Sequence, residues 1–207
     1  MQADKNKIDV YIAPLPKKEP SGEIFPSERA REIENTRNES QRRERHYAWR
    51  LLEYALRDRL GVGIEDAALE RCGGKWRADA TELSLSHGGE GLAVALSRTP
   101  VGADIEPLSD KNRDGAARRF FTEGELSKYL AVGEDSREEA FLRIWTAKEA
   151  LFKSRGEQAF APSSVDTTDA AVYTEMITIE NGRYILSTYT ESPYEVALHY
   201  VDAKDFE

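Results

Sequence analysis

Apolar positions recur along this chain at two different periods. Lys7–Leu15 (KIDVYIAPL) is a short, nearly continuous apolar run and predicts a first strand. Residues 16–28 (PKKEPSGEIFPSE) carry prolines and charges with no core pattern and read as a loop. From Ser40 to Leu60, Ala48, Leu51, Leu52, Ala55 and Leu56 fall on one face of a helix, with Gly61 placed as its C-cap. Residues 61–82 read as loop-rich, and residues 83–106 (LSLSHGGEGLAVALSRTPVGADIE) as short strands joined by turns. A helix over 116–130 is expected to break near Thr122–Gly124, and a strong helix runs over 136–156, ending at Gly156. Two further strands, Arg183–Thr190 and Tyr194–Val201, flank a Ser-Pro turn.

Each half of the chain therefore carries a long helix and a pair of strands. The pattern predicts an α+β fold of two similar lobes, pseudo-duplicated, each a small antiparallel sheet with a long helix. The lobes would be 1–106 and 117–207, joined by the polar segment 107–116 (PLSDKNRDGA), with a cleft between them. Such a chain is expected to act as a monomer, a pseudo-dimer within one polypeptide.

The 207 residues suffice for one domain or two small lobes with a real core, and 40% of them are hydrophobic. No run approaches the ~18 apolar residues of a membrane span, and the N-terminus has no signal-peptide pattern, so no membrane partner and a cytoplasmic location are expected. A single cysteine, Cys72, excludes an internal disulfide and a cysteine-cluster metal site. His46, His87 and His199 are too scattered for an obvious zinc site. The net charge of −9 is uneven: residues 161–207 hold nine acids and two bases, so the rest is nearly neutral. Overall acidity argues against general nucleic-acid binding, including an RNA-binding reading of the arginine-rich helix, but leaves room for a local anion site.

Two stretches carry chemistry. In VGADIE (101–106), Asp104 and Glu106 lie two apart on an apolar strand and share a face, where two carboxylates repel unless a cation lies between them. Taken alone, this D-x-E reads first as two exposed acids at a strand end. In the helix around Trp145, Lys148 falls inside the stripe formed by Phe141, Ile144, Trp145, Leu151 and Phe152. It either snorkels to water or reaches an anion. Glu149 and Lys153, four apart, form at least a surface pair. Joined together, Asp104, Glu106 and Glu149 supply the oxygens that hold Mg²⁺, with Lys148 and Lys153 facing a phosphate. That points to phosphoryl or phosphodiester transfer.

In their order and spacing these motifs resemble the 4′-phosphopantetheinyl transferases, in particular the larger, pseudo-dimeric surfactin-synthetase-activating type. VGADIE matches the family's G-x-D-x-E, and WTAKEALFK its W-x-x-K-E-x-x-x-K. LSLSHGGEGLAVALS matches its Ser-His motif ahead of a strand, GGKW its Gly-Lys pair, and RRFFTEGEL its RFF…E stretch. The resemblance spans Arg42 to Tyr200.

The resemblance implies transfer of the phosphopantetheine arm of coenzyme A to a serine of an apo acyl or peptidyl carrier protein, with Mg²⁺ required and adenosine 3′,5′-bisphosphate released. By position it makes Asp104, Glu106 and Glu149 the metal ligands, Glu149 or a water beside it the base for the serine, and Lys153 and Lys148 the groups that neutralise phosphate charge. Ser86, His87 and Lys75 would lie along the coenzyme. Arg42, Arg43 and Arg45, with His46 on the same helix, form a basic cluster that could hold the 3′-phosphate or merely face solvent. Arg113, Arg118, Arg119 and Lys128 are candidates for docking an acidic carrier, whereas Phe120, Phe121 and Leu126 are either apolar anchors or core. Gly88 stands where the family has a small polar residue, and Trp76 where proline is commoner. The alternative from another class is a non-catalytic carrier-binding module on the same fold.

Overall fold

The computed structural model describes residues 6–73, 75–157 and 159–207; Gly74 of the Gly-Lys pair lies outside the described residues. In chain order the main elements are β1 (Asn6–Pro14), α1 (Ser27–Glu34), α2 (Glu39–Leu60), β2 (Glu70–Cys72), β3 (Lys75–Arg77), β4 (Glu82–Gly88), β5 (Gly91–Ser97) and β6 (Gly102–Pro107). They continue with α3 (Asp114–Phe120), α4 (Glu123–Leu130), α5 (Arg137–Arg155), β7 (Tyr173–Ile179), β8 (Gly182–Tyr189) and β9 (Tyr194–Tyr200). The chain is thus mixed α+β, as its periodicities predict.

The elements stack as helix, sheet, sheet, helix. The first sheet has strand order β4-β5-β1-β9 and the second β6-β8-β7. Alternation along β1 explains why it reads as a continuous apolar run. Tyr11 and Ala13 face α2 with Leu51, Leu52, Ala55 and Leu56, while Ile8, Val10 and Ile12 face the second sheet. Strand β5 splits the same way, with Leu92, Val94 and Leu96 toward α2 and Ala93 and Ala95 toward Ala103, Ile105 and Leu186. Helix α5 covers the far face of the second sheet, packing on β6 and β8.

Two features differ from the expectation of a separate antiparallel sheet on each side of residues 107–116. Strand β9 pairs in parallel with β1, Val196 opposite Ile8, so the first sheet is mixed. Strand β6, which precedes the connecting segment, pairs antiparallel with β8, Asp104 opposite Ser187. Each sheet therefore takes strands from both sides of the segment. Chain order does not encode such exchanges, because β1 and β9 are joined by almost the whole sequence.

Strand β6 is an edge strand of its sheet, and its outer edge faces β4. There the Ser84 hydroxyl accepts from the Ala103 amide at 3.0 Å and the Ser86 hydroxyl from the Ile105 amide at 3.3 Å. The S-x-S step of β4 satisfies amides that an edge strand leaves unpaired. Two glycines permit the close approach. A Cβ at Gly88 would lie 2.5 Å from the Ile105 carbonyl oxygen, which accounts for glycine after the Ser-His pair. A Cβ at Gly102 would lie 1.8 Å from the Ala150 carbonyl oxygen of α5. Gly102→Ala is therefore expected to push α5 off β6 and cost several kcal/mol, read as a loss of roughly 10 °C or more in a thermal melt. A melt within 2 °C of the wild type would show that α5 yields easily.

Candidate active site

The contact at Gly102 sets α5 directly over one face of β6. Residues Gly102, Asp104 and Glu106 point to that face, whereas Ala103 and Ile105 enter the core between the sheets. The next turns of α5 then present Glu149 and Lys153 to the two acids. Lys153 Nζ lies 2.7 Å from Asp104 Oδ1 and donates to Ser86 Oγ at 3.2 Å, and Ser86 Oγ donates to the same Asp104 oxygen at 2.7 Å. Asp104 is buried, and its second oxygen, Oδ2, has no hydrogen-bond partner among the described residues.

The charges around this group are out of balance. Burial pushes Glu106 up to about 7, with the Asp104 charge adding to the effect, against the pull of Lys153 and Arg113. Burial and Asp104 likewise push Glu149 up to about 7. Burial opposes the charge of Lys153, but Asp104, Glu149 and Glu106 outweigh it and hold the ammonium above its usual range. One ammonium thus faces three carboxyl groups. An orphaned buried oxygen beside two carboxyls that resist ionising is the chemistry of a site suited to a further cation. In this arrangement no group of three His, Cys, Asp or Glu side chains among the described residues converges closely enough to hold a metal, and Lys153 occupies Asp104.

Beside this group opens a cleft of about 650 Å³. Its wall includes Arg29, Arg45, Arg71, Lys75, His87 and Lys153, against the acids Glu32 and Glu157. Residues from both sides of the 107–116 segment line it. Lys75 donates to the Val101 carbonyl at 2.7 Å, and burial lowers its ammonium to about 8. Arg29 lies over the Trp49 ring at 4.8 Å, and burial draws it down to about 10. Trp76, which meets Trp49 edge to face, and Phe152 give the cleft apolar surface. A concave, strongly basic wall with aromatic patches suits a polyphosphate that carries a planar ring.

Several residues singled out from the sequence stand elsewhere. Lys148 does not join the site. It is fully buried, 2.6 Å from Glu125 Oε2, and also donates to the carbonyls of Pro162, at 3.0 Å, and Val165. Glu125 in turn accepts from the Thr122 amide at 2.8 Å and from Thr167 at 2.8 and 2.9 Å. The lysine in the apolar stripe thus reaches an anion, but a protein one. Ser86 is spent on Asp104, Lys153 and the Ile105 amide and is itself buried. Arg43 donates to the Pro16 carbonyl and fastens the loop ahead of α1. Arg42 is exposed, and His46 is buried, where desolvation lowers its pKa. Of that basic cluster only Arg45 reaches the cleft. Phe121 stacks on Phe141 at 5.0 Å and Phe120 packs on Trp145 at 5.8 Å, so this pair is packing, while Arg118 and Arg119 are exposed.

Sequence reasoning missed Arg29 and Glu32 because α1 has a single buried residue, Ile33, and so no apolar stripe. It missed Arg71, on the short β2–β3 ribbon. It also missed Glu44, whose Oε2 lies 2.9 Å from His87 Nδ1. Glu125 had a signal, since Thr122 and Glu125 have capping-box spacing and form both of its bonds.

Comparison with known proteins adds a separate finding. The 4′-phosphopantetheinyl transferase superfamily profile matches residues 100–202, which include Asp104, Glu106, Glu149 and Lys153. The 4′-phosphopantetheinyl transferase AcpT of Escherichia coli (strain K12) is 42% identical over 88 residues, 42% of this chain and 45% of the relative. The 4′-phosphopantetheinyl transferase Sfp of Bacillus subtilis (strain 168) is 31% identical over 80 residues, 39% of this chain and 35% of that protein. The matches thus span less than half the length of these relatives. With the D-x-E strand, the K-E-x-x-x-K helix and their contact all inside the matched region, residues 100–202 belong to the 4′-phosphopantetheinyl transferase superfamily.

Proposed function

We propose that this chain transfers the 4′-phosphopantetheine arm of coenzyme A to a serine hydroxyl of an apo acyl or peptidyl carrier protein. The observation that carries this reading is the meeting of a basic cleft with the Lys153–Asp104–Ser86 group and two carboxyls pushed up to about 7. The cleft takes the coenzyme's phosphates on Lys75, Arg45, His87 and Lys153, with Trp76 and Phe152 beside the nucleotide.

Asp104, Glu106 and Glu149 are the residues that would hold Mg²⁺, which when bound neutralises charge on the pyrophosphate. The unpaired Asp104 Oδ2 and the raised Glu106 and Glu149 fit that demand. In the transfer, the serine oxygen forms a bond to the phosphorus next to pantetheine, and the bond from that phosphorus to the bridging oxygen breaks. Adenosine 3′,5′-bisphosphate leaves. The serine proton passes to Glu149, directly or through a water. Lys153 faces the charge that builds on the leaving group, and its lien on Asp104 fixes the ammonium in advance. We read the chain as a pseudo-duplicated cytoplasmic monomer joined at 107–116, each half lending the other a strand. Among the described residues no helix is long and apolar enough to cross a membrane.

The test is incubation with coenzyme A, Mg²⁺ and a panel of apo carriers, read by intact mass. At least one carrier is expected to gain one phosphopantetheine group, and none after its acceptor serine is changed to alanine. A panel left unmodified, with folded protein and bound coenzyme, would favour a binding module instead.

A further inference from the structure

His87 stands in the wall of the basic cleft, yet one of its ring nitrogens faces an acid. Nδ1 lies 2.9 Å from Glu44 Oε2, and Glu44 Oε1 also accepts from Ser40 Oγ at 3.0 Å. Strand alternation explains the contact: Ser84 and Ser86 of β4 face β6, so His87 faces α2, where Glu44 sits one turn into the helix. A carboxylate beside an anion-binding wall weakens anion binding unless it does something else there. Holding the Nδ1 proton fixes the tautomer, and a neutral ring so held carries a lone pair, not a proton, on Nε2. Among the described residues Nε2 has no protein partner.

We propose that Glu44 is a positioning residue that holds His87 by Nδ1, so that phosphate binding at Nε2 takes up one proton from solvent. The inference rests on the cleft being the coenzyme site. In the empty cleft, burial, Lys153 and Arg45 keep the ring neutral against the opposing pull of Glu44. A phosphate placed against Lys153 and Arg45 cancels their effect and adds its own charge. The proton arrives from solvent on Nε2, which then donates to a phosphate oxygen, and Glu44 compensates the second N–H.

The test is calorimetric titration of the whole protein with coenzyme A, without Mg²⁺, at pH 6 to 8 in buffers of different ionisation enthalpy. Wild type, His87→Gln and Glu44→Gln are compared, each checked by thermal melt. Taking His87→Gln as reference cancels protons exchanged by the ligand's own phosphates and by Glu106 and Glu149. The affinity advantage of wild type over His87→Gln is expected to fall about tenfold from pH 6 to pH 8, with matching proton uptake. Glu44→Gln is expected to move that fall about one pH unit lower, a shift that loss of packing alone does not produce. Equal proton uptake in wild type and His87→Gln, with coenzyme A bound, overturns the inference alone. No coenzyme A binding at any pH overturns the reading on which it rests, and the inference with it.

Discussion

Replacing Glu106 by glutamine is expected to move activity and stability in opposite directions. The carboxyl is isosteric with the amide, so the fold is kept, but the proposed Mg²⁺ site loses a charged ligand. Transfer should fall by at least about a hundredfold, the scale of losing one preorganised electrostatic contact. Stability works the other way. Glu106 ionises near 4.5 in the unfolded chain but near 7 in the folded, metal-free protein. Between those values the native state holds more protons than the unfolded one, so stability drops as pH rises from about 4.5 to about 7 and stays low above. At pH 8 the metal-free wild type therefore bears the whole penalty, and Glu106→Gln removes it. The variant should melt several degrees higher at pH 8, on the order of 1–3 kcal/mol, and no higher at pH 4.5. Mg²⁺ should raise the melting temperature of the wild type more at pH 8 than at pH 5, because its ligands must be ionised, and should raise that of the variant less. A variant that melts lower than wild type at pH 8 would mean that Glu106 is paired rather than frustrated.

Lys148→Met is expected to produce the largest loss of stability of any single change considered. Lys148 and Glu125 are 0% and 1% exposed, and every donor and acceptor of the pair is used. Removing the ammonium leaves a buried carboxylate without its counter-charge and two carbonyls without a donor, at a cost of about 3–5 kcal/mol. Pairing it with Glu125→Gln should recover a large part of that loss, since the orphaned charge is then gone. Denaturant titration of the two single variants and the double variant reads this directly. If Lys148→Met unfolds like the wild type but binds coenzyme A much more weakly, the lysine belongs to the cleft after all.

Lys153 and Lys148 show how far the sequence could be read. Periodicity located both α2 and α5 to within a residue or two at each end, because each has a wide apolar face against a sheet. The D-x-E alternation and the K-E-x-x-x-K spacing put three acids with two bases. The structure sets Lys153 on Asp104 with Glu106 and Glu149 in electrostatic reach, but does not gather the three acids closely enough to hold a metal among the described residues. Lys148 lies on the same helix but turns away, and nothing in its own neighbourhood says that its partner is Glu125, on a separate helix. Strand β7 carries no clear apolar pattern because it is a half-exposed edge strand with buried positions only toward its end. The cleft was the least legible part. Arg29 and Arg71 come from polar stretches that carry no periodic signal, and Glu44 from the polar first turns of α2. The packing of α2 on β4 brings Glu44 to His87, and that of α5 on β6 brings Lys153 to the same cleft. Arg42 and Arg43 belong to a charge run on α2, yet one faces solvent and the other fastens a loop.

The central claim is that the cleft beside Asp104, Glu106 and Glu149 is the coenzyme's seat. A crystal structure of the protein with coenzyme A and Mg²⁺ tests it most directly. The account predicts the pyrophosphate against Lys153, further phosphate contact at His87, Lys75 and Arg45, and the metal on Asp104, Glu106 and Glu149. The molecule offers another large cavity, about 730 Å³, lined by Lys111, Arg113, Arg137 and Arg183 among others. Coenzyme phosphates bound there, with Lys153 still paired to a metal-free Asp104, would contradict the account.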